Sequence, residues 1–167
     1  MLGLAAAGLA GLAALGAAPA LAATPSASFT LTGALHATAA SRCFVSSFQG
    51  DQSVDFFNAK VTIKVNEYKS AGAVNLAKTR DDFVSVDEIV GGKSSMWVAG
   101  WSGASDSGVP STVGPHLGSG TLQVSAANLA AGTIITELVP APKDLMPVNA
   151  AKGTVHLVAR WSGCLTE

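Results

Sequence analysis

The side chains best able to do chemistry here are three histidines, His36, His116 and His156, and a serine-rich stretch around Ser105. Histidines distant in sequence can share a zinc ion in a β-barrel, but their spacing matches no metal-ligand pattern. A serine nucleophile needs either the Gly-x-Ser-x-Gly turn or a nearby histidine and carboxylate. Residues 103–108 lack that turn, and nothing in the sequence selects a triad of Ser105, His116 and an aspartate. We therefore expect hydrogen-bonded or surface histidines, and no metal or cofactor.

The acidic side chains suggest two further kinds of site. They are Asp81, Asp82, Asp87 and Glu88 in one cluster, with Asp51 and Asp55 earlier in the chain. A calcium loop requires alternating oxygen ligands within one turn, and no such run is present. A glycosidase requires two carboxyl groups about 5–10 Å apart across a bound sugar, which a sequence does not show. The pattern favours solvated charges at the corners of a sheet.

Two tryptophans, Trp97 and Trp101, are four residues apart on a predicted strand. Residues at this spacing share a face and are about 13 Å apart at the rise of a strand. An exposed pair would form a platform for an extended ligand, whereas a buried pair would fill the core and donate its indole N–H groups to carbonyls. The Gly-, Ser- and Pro-rich segment 102–119 follows, and long loops of this kind are often functional or disordered. The candidate ligand contacts are therefore Trp97, Trp101, Asp106 and His116.

The composition excludes several classes of partner. The 167 residues include 10 basic and 11 acidic side chains, with no basic cluster. This balance argues against nucleic acid and against anionic membrane surfaces as partners. Residues 1–22 are rich in Leu, Ala and Gly and end in Ala20-x-Ala22, which is typical of a secretory signal peptide, although the basic start is missing. A membrane anchor is the alternative interpretation, and no later stretch is apolar enough to span a bilayer.

Removal of residues 1–22 leaves a single domain, residues 23–167, with two cysteines. In an exported chain the simplest arrangement is one disulfide, Cys43–Cys164, which would hold the second strand against the end of the last. In the chain-entropy model, closing so long a loop stabilises the fold by about 4–5 kcal/mol.

Period-2 alternation of apolar and polar residues predicts eight or nine short strands and no amphipathic helix. We expect one strand over residues 26–40, a bulge or bend at residues 56–59, a tight turn at residues 91–93 and a final strand from Val155 to Trp161. The fold class is all-β, an antiparallel β-sandwich of the immunoglobulin or jelly-roll kind, with a small β-barrel as the alternative.

These features favour a secreted, non-enzymatic binding module for a protein or glycan. One alternative is a structural component of the cell envelope, which the low content of charged residues (13%) supports. The other is a small hydrolase, which would require a histidine between a serine and a carboxylate. The sequence does not indicate an oligomeric state.

Overall fold

The computed structural model describes residues 26–48, 51–58, 60–68, 71–79, 82–100, 117–125, 131–143 and 145–166. Within these ranges the chain forms twelve strands and no helix. This confirms the all-β prediction, although the predicted count of eight or nine strands was too low. The strands are β1 Ser26–Gly33, β2 Ala37–Ser41, β3 Cys43–Phe48, β4 Asp51–Phe57, β5 Val61–Tyr68, β6 Gly72–Asn75, β7 Phe83–Val90, β8 Lys93–Ala99, β9 Ser119–Val124, β10 Gly132–Pro140, β11 Val155–Ser162 and β12 Leu165–Thr166. In these parts of the chain no helix has the length and apolar character needed to cross a membrane.

The strands form two sheets that share one core. The first sheet has the order β2-β1-β11-β10-β9-β6, and every neighbouring pair in it is antiparallel. The second sheet has the order β12-β3-β4-β5-β7-β8, antiparallel except for the pair β12–β3. The strands of the first sheet alternate inward apolar and outward polar residues, as strands with one buried face do. In the second sheet β7 and β8 depart from this pattern, with three consecutive buried residues each, at 84–86 and 97–99.

A disulfide joins the two sheets at one corner. Strand β1 lies between β2 and β11, so that Ala27 pairs with both Ser41 and Trp161. Beyond the start of β1 the two flanking strands continue as β3 and β12, which pair directly and in parallel. Cys43 and Cys164 are bonded at this point, with their Cα atoms 4.8 Å apart. The predicted cross-link between the second strand and the end of the last is confirmed.

The second junction lies at the other end of β11. There Leu138 of β10 pairs with Val155, and the next two residues, Val139 and Pro140, pair with Val98 and Trp97 of β8 in the second sheet. Strands that leave one sheet for another at corners are typical of orthogonally packed sheets. Because both junctions are present, the antiparallel sheet nearly closes into a barrel. The structure therefore has two packed sheets, as in the predicted sandwich, and near-closure, as in the alternative barrel.

The core lies between the two sheets. Its largest fully buried side chains include Phe29, Leu31, Phe56, Ile63, Leu122, Ile134, Leu138 and Leu157, contributed by both sheets. The rings of Phe56 and Trp161 meet across the core with centroids 6.0 Å apart.

Residues 26–40 form a hairpin and not the single predicted strand. Strand β1 ends at Gly33, which has a φ of 94°. A Cβ at this position would lie 2.5 Å from the carbonyl oxygen of Thr154. The next amide, Ala34 N–H, donates to that oxygen at 2.9 Å. The chain turns here because a glycine can take a left-handed conformation against a neighbouring backbone.

The predicted bulge or bend at residues 56–59 is also wrong, because the chain reverses there between β4 and β5. The side-chain oxygen of Asn58 accepts from the amides of Lys60 and Val61 at 2.8 Å each. This Asx turn competes with strand continuation. The tight turn at residues 91–93 is confirmed, with φ values of 58° and 73° at Gly91 and Gly92.

Candidate functional site: the outer face of the first sheet

Of the four predicted ligand contacts, only Trp97 lies among the described residues. Its side chain is 3% exposed and belongs to the core, and its indole N–H donates to the carbonyl oxygen of Gly153 at 3.1 Å. This agrees with the core alternative, so we do not retain Trp97 as a ligand contact. Trp101, Asp106 and His116 lie outside the described residues. The amide of Gly100 donates to the carbonyl of Leu117 at 2.8 Å, so the described residues on either side of residues 101–116 are in contact.

The histidines that the structure describes do not converge. His36 is exposed in the turn between β1 and β2, whereas the residue of β1 that faces His156 is Thr32. His156 Nδ1 lies 2.6 Å from Glu137 Oε1 on the neighbouring strand. Among the described residues no group of three or more His, Cys, Asp or Glu side chains is arranged to hold a metal ion. In the same ranges His156 has a carboxylate partner, and no serine or threonine hydroxyl is bonded to its ring.

The predicted acidic cluster is divided between two local contacts. Asp82 accepts a hydrogen bond from the Thr79 hydroxyl at 2.5 Å. Asp87 accepts from the Ser85 hydroxyl at 3.3 Å. Burial raises the pKa of Asp87 above its ordinary value of 3.8, and the negative charge of Asp55 adds to the rise. The Ser85 hydrogen bond and the positive charge of Lys64 act in the opposite direction. Asp81 lies outside the described residues.

The feature best suited to recognition is the outer face of the first sheet, which we call the outer face. Its side chains fall into three rows that cross neighbouring strands in register. The first row is Ala40, Ser28, Arg160, Thr133, Gln123 and Ala73. The second is Thr38, Thr30, Val158, Ile135, Thr121 and Asn75. The third is Thr32, His156, Glu137 and Ser119. All are exposed except Val158 and His156, which are half-buried.

An apolar pair occupies the centre of the outer face. Ile135 is 58% exposed and pairs with Val158 on the adjacent strand. Threonines Thr30 and Thr121 lie on either side of this pair in the same row. The first row contributes Arg160 on one side of this apolar pair, and the third row contributes the His156–Glu137 pair on the other side. An apolar centre with a polar, hydrogen-bonding rim is the composition of protein–protein interfaces.

Two shallow depressions flank Arg160. One, of about 360 Å³, lies over the region of Ser28, Thr30, Thr38 and Val158. The other, of about 430 Å³, lies towards Gly132, Thr133 and Ser162. Both arise because small side chains on β1, β2 and β10 surround one long side chain. Side chains of a partner could enter both, with the Arg160 guanidinium available to a carboxylate or a carbonyl.

The outer face extends across all six strands of the first sheet. Six strands at about 4.8 Å spacing measure about 24 Å between the outermost strands, and positions i and i+4 along each strand are about 13 Å apart. These dimensions enclose about 300 Å². A partner that buries the roughly 800 Å² of a standard interface would therefore also cover the surface around the three rows.

Sequence reasoning identified the alternation on these strands but not the outer face itself. The signal was present in Phe29 and Leu31 alternating with Thr30 and Thr32. The lateral order that puts Thr30 beside Val158 and then Ile135 depends on strand pairing between distant parts of the chain. The long segment 102–119 gave the stronger sequence signal for a binding site, because the strands of the outer face place no Trp, Tyr or Phe residue on it.

Comparison with protein families, with curated proteins and with solved structures found no match to this chain.

Proposed function

We propose that the protein is a secreted, non-enzymatic binding module that recognises another protein through the outer face. The observation that supports this most directly is Ile135, a β-branched apolar residue 58% exposed at the centre of six paired strands. Its neighbour Val158 makes the exposed apolar area continuous. Single exposed apolar residues are common, but a central pair within a polar rim is typical of a contact surface.

The scarcity of charge on the outer face supports a protein partner. Its three rows contain Arg160, Glu137 and His156 as their only ionisable side chains, and two of these are paired with each other. Desolvating threonine, serine and glutamine side chains costs less than desolvating unpaired charges, provided that the partner supplies hydrogen bonds. A glycan partner is less well supported, because the three rows offer no Trp, Tyr or Phe ring for a sugar to stack on.

The disulfide is compatible with an oxidising, extracellular location. It also supports a binding role, because it holds β2 and β11 on either side of β1 at the edge of the outer face. A surface held in one geometry loses less conformational entropy when it binds, which improves affinity.

A photo-crosslinking amino acid at position 135 tests this proposal in the cells that make the protein. We expect a covalent product with a second protein, and we expect the same probe at Lys64 of β5, on the opposite sheet, to give none. Arg160→Glu should reduce the yield at position 135 at least several-fold, because a reversed charge in the rim disfavours the complex.

Two results would overturn the proposal. Equal products from positions 135 and 64 would show that the outer face has no preference for a partner. Products made only of this chain would instead favour the alternative of a structural envelope component.

A further inference from the structure

We propose that the β7–β8 hairpin tip is a second interaction surface, one that inserts into the interface of a phospholipid bilayer. The tip consists of Ile89, Val90, Gly91, Gly92 and Lys93. With Val148 beside it, it presents three of the most exposed large apolar side chains among the described residues: Ile89 is 70%, Val90 59% and Val148 86% exposed. The proposal is independent of the outer face, which lies on the other sheet.

The tip stands clear of the rest of the protein. A Cβ added at Gly91 or Gly92 would meet no atom within 4 Å, so the turn projects into open space. Both glycines have positive φ, which is the geometry of a tight two-residue hairpin turn. The projecting end is therefore a short, well-defined ribbon.

The apolar side chains lie on both faces of this ribbon. Ile89 pairs with Ser94, and Val90 pairs with Lys93. Since successive residues of a strand point to opposite faces, Ile89 and Val90 point in opposite directions. A flat protein surface would cover only one of them. Immersion of the whole tip in a bilayer covers both.

Val148 is held at the edge of the ribbon by a rigid contact. The amide of Ala150 donates to the carbonyl of Ser94 at 3.0 Å. The side chain of Asn149 accepts from the Met96 amide at 3.0 Å and donates to the Met96 carbonyl at 2.9 Å. Val148 thus belongs to a segment fixed beside β8, across a depression of about 510 Å³ that includes Lys93 and Ser94.

The charge of the tip suits a lipid headgroup region. Lys93 is exposed, and its long side chain can extend to headgroup phosphates while the apolar residues lie deeper. Lys152 is a second exposed cation on the segment that carries Val148. The nearest described acidic residue on the hairpin is Glu88, which is half-buried and pairs with Ser95 and Val61 inside the sheet. The nearly balanced charge of the whole chain gives no indication of these two exposed lysines near the tip.

Vesicle co-sedimentation of the whole protein tests the proposal, with phosphatidylcholine vesicles and with vesicles that also contain phosphatidylglycerol. We expect binding to both, tighter to the anionic vesicles and still measurable at high salt. The triple variant Ile89→Ser, Val90→Ser and Val148→Ser should weaken binding about tenfold or more to both kinds of vesicle. Lys93→Gln should weaken binding about fivefold, and only to the anionic vesicles.

Ile135→Ser is the matched control, because it removes an apolar side chain of similar exposure from the outer face. It should leave vesicle binding unchanged, and the triple variant should leave crosslinking at position 135 unchanged. Melting temperatures of the tip variants should equal that of the parent, since these side chains make few contacts. The proposal fails if neither vesicle sediments the protein, if the triple variant binds as the parent does, or if high salt abolishes all binding.

Discussion

The two junctions between the sheets differ in their chemistry. At the disulfide corner, the chain continues from β2 into β3 and from β11 towards β12, beyond the start of the strand β1 that separates β2 from β11. The Cys43–Cys164 bond and the parallel pair β12–β3 connect these two continuations. At the opposite corner, Val139 and Pro140 of β10 pair with Val98 and Trp97 of β8. The amide of Ala141 continues this contact by donating to the Met96 carbonyl at 2.9 Å. Side chains complete this second junction: Asn149 bonds to Met96 and Ala141, and Trp97 bonds to Gly153.

This difference shows two ways to close a sheet on itself. The disulfide acts largely on the unfolded chain, whose freedom it reduces, and the effect grows with the number of residues between the cysteines. Here that separation is 121 residues. The second corner acts only in the folded state, where strand pairing and side-chain hydrogen bonds satisfy backbone groups of both sheets.

The largest effect is expected from the double variant Cys43→Ala and Cys164→Ala. In the chain-entropy model it should lower the free energy of unfolding by about 4–5 kcal/mol. Urea denaturation followed by tryptophan fluorescence measures this, and reduction of the parent protein should give the same midpoint. An unchanged midpoint would show that β12–β3 pairing alone holds this corner.

Asn149→Ala should have the next largest effect, about 2–3 kcal/mol. It removes the Asn149 partner of three backbone groups, the Met96 amide, the Ala141 carbonyl and the Ala151 amide. The Met96 carbonyl also loses Asn149 but still accepts from the Ala141 amide at 2.9 Å. Val148→Ala at the adjacent, exposed position is the control and should leave stability unchanged. A similar loss in both variants would mean that the segment, and not the amide, supports the corner.

Trp97→Phe and Trp161→Phe form a matched pair. Both indoles are 3% exposed, but only Trp97 donates a hydrogen bond, and the Trp161 Nε1 is buried without a partner. Both variants lose similar volume, so Trp97→Phe should be the more destabilising by about 1 kcal/mol. Thermal unfolding of both measures the difference, and equal losses would show that the bond to Gly153 contributes nothing at this corner.

The smallest effect is the pH dependence of stability that arises from Asp87, a residue of β7 that contributes no hydrogen bond described at either corner. Because its pKa is raised in the folded state, the native protein binds this proton more tightly than the unfolded chain does. Ionisation of Asp87 therefore lowers the free energy of unfolding at neutral pH. This destabilisation decreases as the pH falls through the raised pKa towards the ordinary value of 3.8. Asp87→Asn should be slightly more stable than the parent at neutral pH and should match it at acidic pH below 3.8. A parent protein that is the more stable at neutral pH would contradict this.

The fold was more predictable than the candidate site. Alternation along each strand and the two cysteines indicated an all-β body with one disulfide, because both are local properties of residue type and spacing. The turn at Gly33 was missed because apolar alternation continues through it. At Asn58 the break in alternation was recognised but interpreted as a bulge or bend, and not as a turn between two strands. The sequence favoured the core over a ligand platform for Trp97, but its burial depends on the packing of β8 against the first sheet.

The sequence by itself determined the strand character and the cross-link, since these follow from side-chain chemistry and period. Tertiary structure alone decided that Ile135 lies beside Val158, and that Val148 lies beside the β7–β8 hairpin. The physical reason is that neighbours in a sheet are chosen by long-range pairing and by the closure of two corners, which no short window of sequence contains.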